Sequence, residues 1–300
     1  MDIITSGKHN SKYTHRWIIA IILLITGCAK TGEIFYPDRK PPQIELIEPV
    51  DANHIWVFFN EQIDTTIETS QILITNPQDT ISPMSILYDS KEEGLFLTIP
   101  TLTQERHTLT ITGIADTVGN IGNPKEFFLP SQIPDTTPPV IIDISPHSPG
   151  TNIKPESTLI SITFNEAIDT LDTCVWIVPE DSFTRVILRE NRIFISPPHT
   201  KEIRVVLSEI RDISGNTNPL WKELFYTSSE HIPKGEVQGE VQHPCTVFLY
   251  TEDTILVSLT FADSMFTFSH IEEGKYIIKK DTTFHTVSIS TAEEEGEEQQ

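Results

Sequence analysis

Val57-Phe58-Phe59-Asn60-Glu61-Gln62-Ile63-Asp64 returns roughly 100 residues later as Ile162-Thr163-Phe164-Asn165-Glu166-Ala167-Ile168-Asp169. Ahead of the first copy stands Pro41-Pro42-Gln43-Ile44-Glu45-Leu46-Ile47-Glu48-Pro49, and ahead of the second Pro138-Pro139-Val140-Ile141-Ile142-Asp143-Ile144-Ser145-Pro146. Behind them come Ile114-Ala115-Asp116-Thr117-Val118-Gly119-Asn120 and Ile210-Arg211-Asp212-Ile213-Ser214-Gly215-Asn216. Three landmarks in one order, twice, mark residues 41–133 and 137–228 as two copies of one module. Each copy is about the size of a β-sandwich. Apolar residues alternate in Ile160-Ser161-Ile162-Thr163-Phe164, in Leu95-Leu97-Ile99 and in Ile203-Val205-Leu207, as on half-buried strands. On that pattern Arg204, Val206 and Ser208 face away from the core. The second copy carries extra residues before its Asn-Glu landmark, and Ser148 to Ser157 reads as a longer loop.

Composition agrees with an all-β chain. Among 300 residues, 21 prolines outnumber 13 glycines and are spread throughout, which disfavours long helices. Beyond the amino-terminal apolar run, no stretch of ten or more residues has helical spacing. The formal charge of −22 makes nucleic acid a poor partner, because phosphate is repelled. Three cysteines are too few for a disulfide-dense scaffold.

The Pro-Pro opening, the F-x-E-x-I-D segment and the D-x-x-G-N close resemble the bacterial Ig-like domains of the SbsA type, found in surface-layer and other secreted bacterial proteins. The resemblance implies two tandem Ig-like β-sandwiches. The family often has a tyrosine early in the strand before D-x-x-G-N; here Arg106-His107 and Glu202-Ile203 occupy that region. After His231-Ile232-Pro233-Lys234, which reads as a linker, residues 235–290 contain Thr246-Val247-Phe248-Leu249-Tyr250 and Phe266-Thr267-Phe268-Ser269-His270-Ile271-Glu272-Glu273-Gly274-Lys275-Tyr276. This segment resembles the small prealbumin-like β-sandwich of carboxypeptidase regulatory domains, with Met265 where that family usually has glycine. Phe266, Phe268, Tyr276 and Ile278 read as its core. Residues 291–300, with five glutamates and no aromatic residue, are expected to be a disordered acidic tail.

The first 27 residues read as an address. Lys8, Lys12 and Arg16 precede an uncharged eleven-residue run, Trp17 to Gly27. As a helix that run is about 16 Å long, half of the ~30 Å hydrocarbon core. A basic front and a short apolar middle make a signal peptide. Its end, Ile25-Thr26-Gly27-Cys28, resembles the bacterial lipobox, which implies cleavage before Cys28 and acylation of its sulfur. Residues 28–40 would be a tether, and the lipid the chain's contact with the membrane. Two or three acyl chains, as that family carries, hold a protein where one chain binds only marginally. Ala29 after the cysteine favours the outer membrane, periplasmic or surface-facing, by resemblance to enterobacterial sorting.

Chemistry is sparse. In D-x-x-G-N, Asp116 and Asp212 can accept hydrogen bonds from amides two residues on, Gly119 and Gly215 can take positive φ, and Asn120 and Asn216 tolerate it. A structural turn is the first reading. Calcium held by Asp116 or Asp212 with Glu61-Asp64 or Glu166-Asp169 is the alternative, short of oxygens because each turn supplies one carboxylate. No two histidines after Cys28 lie within four residues of each other, and neither a G-x-S-x-G elbow nor a P-loop occurs. No cofactor and no catalytic residue is expected. Cys174 and Cys245 fall in different modules; buried or free thiols are the first reading and a bridge the second. Trp56, Trp176 and Trp221 are expected in cores rather than on a sugar-stacking platform. The chain therefore reads as a non-catalytic, lipid-anchored envelope protein, a structural spacer or adhesion module for a protein or glycan partner. A carbohydrate-binding lipoprotein of a polysaccharide-uptake system, an accessory subunit of an envelope enzyme and an assembly factor are the alternatives, since sandwiches host many functions.

Overall fold

The computed structural model describes residues 38–91, 93–154, 158–170, 174–179, 184–197, 200–219 and 221–289. The signal segment, Cys28 and the acidic tail lie outside the described residues. The chain divides into two units, Met1–Lys40 and Pro41–Gln300, and the strands described lie in the second. Among the described residues the elements are strands apart from one 3-10 turn, Thr69–Gln71, and no helix is long and apolar enough to cross a membrane.

The first module is two four-stranded antiparallel sheets face to face. One runs in the order Ile44–Pro49, His54–Phe59, Gly94–Thr98, Ser85–Asp89, the other Lys125–Phe128, His107–Ile111, Ile72–Thr75, Thr80–Ile81. The inward set, including Ile55, Val57, Leu95, Leu97, Ile72, Leu109 and Ile111, is fully buried between them. Period-two alternation is what lets one face of each strand meet the other sheet. The second module repeats the plan. Ile141–Ser145, Ile160–Phe164, Arg192–Ser196 and Arg185–Arg189 face Cys174–Val178, Glu202–Ser208 and Lys222–Thr227 across a core built on Ile160, Ile162, Phe164, Val205 and Leu207. The extra residues of this copy are not merely a loop. Gly150 bridges to Tyr226, and Ile153 is buried with its amide on Thr227 O.

The third module sets Leu256–Ala262, Cys245–Thr251, Gly274–Lys280 and Thr283–Ile289 against the pair Gly235–Glu240 and Met265–Ile271. Phe266, Phe268, Tyr276 and Ile278 lie in its core.

One strand departs from the alternation. In Glu202–Ser208 both faces are buried, with Arg204, Val206 and Ser208 all 3% exposed or less. The third module covers the face that would otherwise meet water. Val206 and Val178 pack on Leu259, with Trp221, Phe248 and Leu256 around them. Arg204 donates to Glu223, to Ser269 O and, at 2.6 Å, to His270 O, and it lies 4.7 Å above the Phe225 ring. The guanidinium is buried because carbonyls, a carboxylate and an aromatic face replace its water.

Candidate functional site

The repeated landmarks turn out to be parts of one contact. In the first module Asn60 Oδ1 accepts from Gln43 N at 2.7 Å, while Asn60 N donates to Gln43 O. In the second, Asn165 Oδ1 accepts from Val140 N at 2.6 Å, and Asn165 N donates to Val140 O. The asparagine thus pins the strand that follows Pro-Pro. A few residues on, Ile63 bridges to Asp116 and Ile168 to Asp212, and Asp64 N and Asp169 N donate to Ala115 O and Arg211 O. Opening, middle and close of each module meet at one end of its sandwich.

The D-x-x-G-N close is a self-sufficient turn. Asp116 Oδ1 accepts from Val118 N and Asn120 N, and its Oδ2 from Asn120 Nδ2 at 2.7 Å. Asp212 repeats this with Ser214 N, Asn216 N and Asn216 Nδ2, each at 2.8 Å. Burial would raise the Asp116 carboxyl; the hydrogen bonds from Asn120 and Val118 outweigh it and hold the group below its usual range. Gly119 and Gly215 have φ of +92° and +91°. Asn120 and Asn216 are not in that region; they serve by donating from their side-chain amides, a role that the residue type allowed but spacing did not single out.

In the second module this end is covered by the first, and the seam holds the densest group of buried ionisable side chains described. His54, at the start of its strand, is 3% exposed. Its Nδ1 lies 3.0 Å from both oxygens of Asp51, its Nε2 3.2 Å from Glu166 Oε2, and its ring stacks on Phe96 at 5.0 Å. Asp135, from the connection between modules, accepts from Thr137 N through Oδ1 and places Oδ2 4.0 Å from His54 Nδ1. Glu166, Asp135 and Asp212 each bring one oxygen within 4.8 Å of the others. Around them Ala167 N donates to Thr98 Oγ1, Ser214 Oγ to Asn53 Oδ1 and Asn216 Nδ2 to Asp135 O. Burial alone would lower the His54 pKa, but the close contact with Glu166 and the hydrogen bond and charge of Asp51 overcome it and raise it to about 9. Burial, with the charges of Asp135 and Asp212, raises Glu166 despite His54. Both directions have one cause, an excess of carboxylates in a site poor in water.

Of the residues singled out from sequence, the structure brings Glu166 and Asp212 together and leaves Asp169 in a backbone contact beside them. Glu61 and Asp116 likewise approach within 4.8 Å. His54, Asp51 and Asp135 were not anticipated. Asp135 sits in what reads as a plain Pro-rich linker, and the only cue was a histidine inside an apolar strand. Cys174 and Cys245 are not joined by a disulfide and lie half-buried and buried respectively. Trp176 departs from expectation: it stands on the outer face of its strand, 49% exposed, because a continuous apolar run does not say which residues face out. Trp56 packs half-buried on Phe58 and Phe96, and Trp221 on Phe261. In the strand before the first D-x-x-G-N close, buried His107 makes a 3.1 Å contact from Nε2 to Thr103 O, four residues upstream.

No family model matches the chain. A curated relative, the outer cell wall protein of Brevibacillus brevis, is 22% identical over 232 residues, 71% of this chain. The chain spans 21% of that relative's length. Among solved structures, the N-terminal part of the bacterial S-layer protein SbsC is 14% identical with a TM-score of 0.27, covering 62% of this chain and 44% of its own. The Bacteroides ovatus mixed-linkage glucan utilization locus protein SGBP-B, solved with a mixed-linkage heptasaccharide, is 12% identical with a TM-score of 0.23, covering 86% and 75%. These overlaps are shallow, and the fold assignment rests on the strand pairing itself.

Proposed function

We propose that the chain is a non-catalytic cell-envelope protein, anchored through an acylated Cys28, whose Ig-like modules form a stiff spacer or adhesion stalk. The observation that carries this reading is the seam, where side chains from the first module, the connection and the second module interlock out of water. A spacer transmits position only if its joints resist bending, and a buried, hydrogen-bonded joint does so where a solvated linker does not. The third module is tied to the second by Arg204 and the Val206–Leu259 contact in the same manner. The outer-cell-wall placing of the Brevibacillus relative agrees with an envelope location. The lipobox-like Ile25-Thr26-Gly27-Cys28 supports the anchor, and Ala29 an outer-membrane address. Mass spectrometry of the protein purified from membranes should find a diacyl or triacyl Cys28 as the first residue. Recovery of an unacylated chain that begins at Met1 would refute the anchor. Small-angle scattering of the lipid-free protein should give an elongated particle, and a compact one would refute the spacer.

Carbohydrate binding is the second reading, favoured by one observation. Trp176 offers an indole face to solvent from a rigid strand, which suits stacking on a sugar ring. A glycan array with the wild-type chain and Trp176→Ala separates the two readings: loss of a signal in the variant supports capture, and no signal with the wild type leaves the spacer.

A further inference from the structure

We propose that the seam is a binding site for one hard divalent cation, calcium in particular, held by Asp135, Glu166 and Asp212. One oxygen of each lies within 4.8 Å of the other two. That limit is twice a calcium–oxygen bond of about 2.4 Å, so a single ion can sit close to bonding distance from all three.

A second observation is independent of the clustering. Asp135 Oδ2 and Glu166 Oε2 are buried without a hydrogen-bond donor. The side chain of Asp135 is 0% exposed and that of Glu166 1%. The imidazole faces Glu166 Oε2 at 3.2 Å but out of line for a hydrogen bond. Elsewhere at the seam carboxylate oxygens are served: both oxygens of Asp212 and Oδ1 of Asp135 accept from amides. A buried anionic oxygen with no donor costs several kcal/mol unless a cation meets it. Asp212 brings one oxygen within 4.8 Å of an oxygen of each of these two carboxylates. Three carboxylates, of Asp51, Asp135 and Glu166, face one imidazole, a fourth, of Asp212, adjoins them, and a divalent ion removes most of that excess of negative charge.

The donors are all oxygen, which selects a hard cation over zinc or copper. Calcium accepts irregular geometry and mixed carboxylate, carbonyl and water ligands, whereas magnesium demands a near-ideal octahedron. The three ligands come from the connection and from two separate landmarks of the second module, against the His54 end of the first. Occupancy would therefore fasten the connection to the second sandwich and hold the joint.

The test is calorimetric titration of calcium chloride into the full chain, cleared of metal with EDTA, with magnesium chloride in parallel. The expected result is a calcium site with a Kd of about 0.1–1 mM, as in other extracellular modules, and a raised thermal midpoint. Asp135→Asn and Glu166→Gln should each weaken calcium binding at least about tenfold, by the loss of one charged ligand. Circular dichroism verifies that each variant keeps its strands, and Asp135→Asn, which leaves Oδ1 and its turn in place, serves if Glu166→Gln fails to fold. Absence of calcium-dependent heat and midpoint shift in the wild type overturns the proposal. So does calcium affinity that is unchanged in the folded variants.

Discussion

His54 Nε2 stands 3.2 Å from Glu166 Oε2, and the two residues belong to different sandwiches. Both are buried where the two modules meet. The contact makes the joint between modules part of the folded core, and it sets how that joint responds to protons.

In EDTA, stability should fall as pH rises from about 6.5 through about 9. The folded His54 pKa of about 9 exceeds the 6.5 of the unfolded chain. The stabilisation is therefore complete below 6.5 and is lost as pH climbs through the folded value. Raised Glu166 acts in the same direction at lower pH, since its buried carboxyl also holds its proton more tightly when folded. Thermal melts from pH 6 to 10 measure this. His54→Phe, which keeps the stacking on Phe96 but not the charge, should flatten the alkaline limb.

Gly119→Ala and Gly215→Ala should each cost about 1–2 kcal/mol although a methyl group meets nothing within 4 Å at either site. The loss comes from φ near +90° alone. Chemical denaturation reads it, and equal losses at the two positions would show that both turns bear the same strain.

Removal of the aspartate from the same turns should cost more. Asp212→Ala leaves Ser214 N and Asn216 N without their acceptor in a part-buried turn, while Asn216 Nδ2 keeps only its longer bond to Asp135 O. Unserved buried donors cost about 1–3 kcal/mol each, partly recovered by relaxation. Denaturant midpoints for Asp116→Ala and Asp212→Ala should both drop below those of the glycine variants.

Arg204→Ala should loosen the third module from the second. The change takes the guanidinium from two carbonyls and from Glu223, which keeps Ser258 Oγ, and empties the space over Phe225, a loss of about 2–4 kcal/mol for a half-buried pair and two unserved acceptors. Limited proteolysis at His231–Lys234 should then become rapid. Lys201→Ala, which removes the exposed pair with Glu272, should change stability by under about 1 kcal/mol and leave cleavage slow.

Iodoacetamide should alkylate Cys174 before Cys245 in the folded protein. Cys174 is half-buried on its strand, whereas burial, reinforced by the Asp281 carboxylate, keeps Cys245 a thiol at higher pH. Peptide mapping of a time course checks the order.

Strand character is written in local pattern and the seam is not, for physical reasons visible at particular positions. Ile160, Ile162 and Phe164 announced their strand because burial on one face leaves a period of two. Trp176 did not reveal its exposure, because Cys174–Val178 is apolar on both faces and carries no period. Arg204 read as a solvent residue from alternation alone, yet the third module buries it. Asp135 looked like linker chemistry, since Asp beside Pro is an ordinary turn residue, and it becomes a buried group only when two modules close on it.

Local order along the chain was enough for the twofold repeat, the strand character, the glycine-dependent turns and the inward faces, because each depends on residues a few positions apart whose spacing survives in one dimension. Which outer faces are covered, which carboxylates share a site and what His54 touches were settled in three dimensions. Those contacts join residues far apart in the chain, more than 100 positions for His54 and Glu166, and their energies depend on the removal of water by modules whose approach no local pattern encodes.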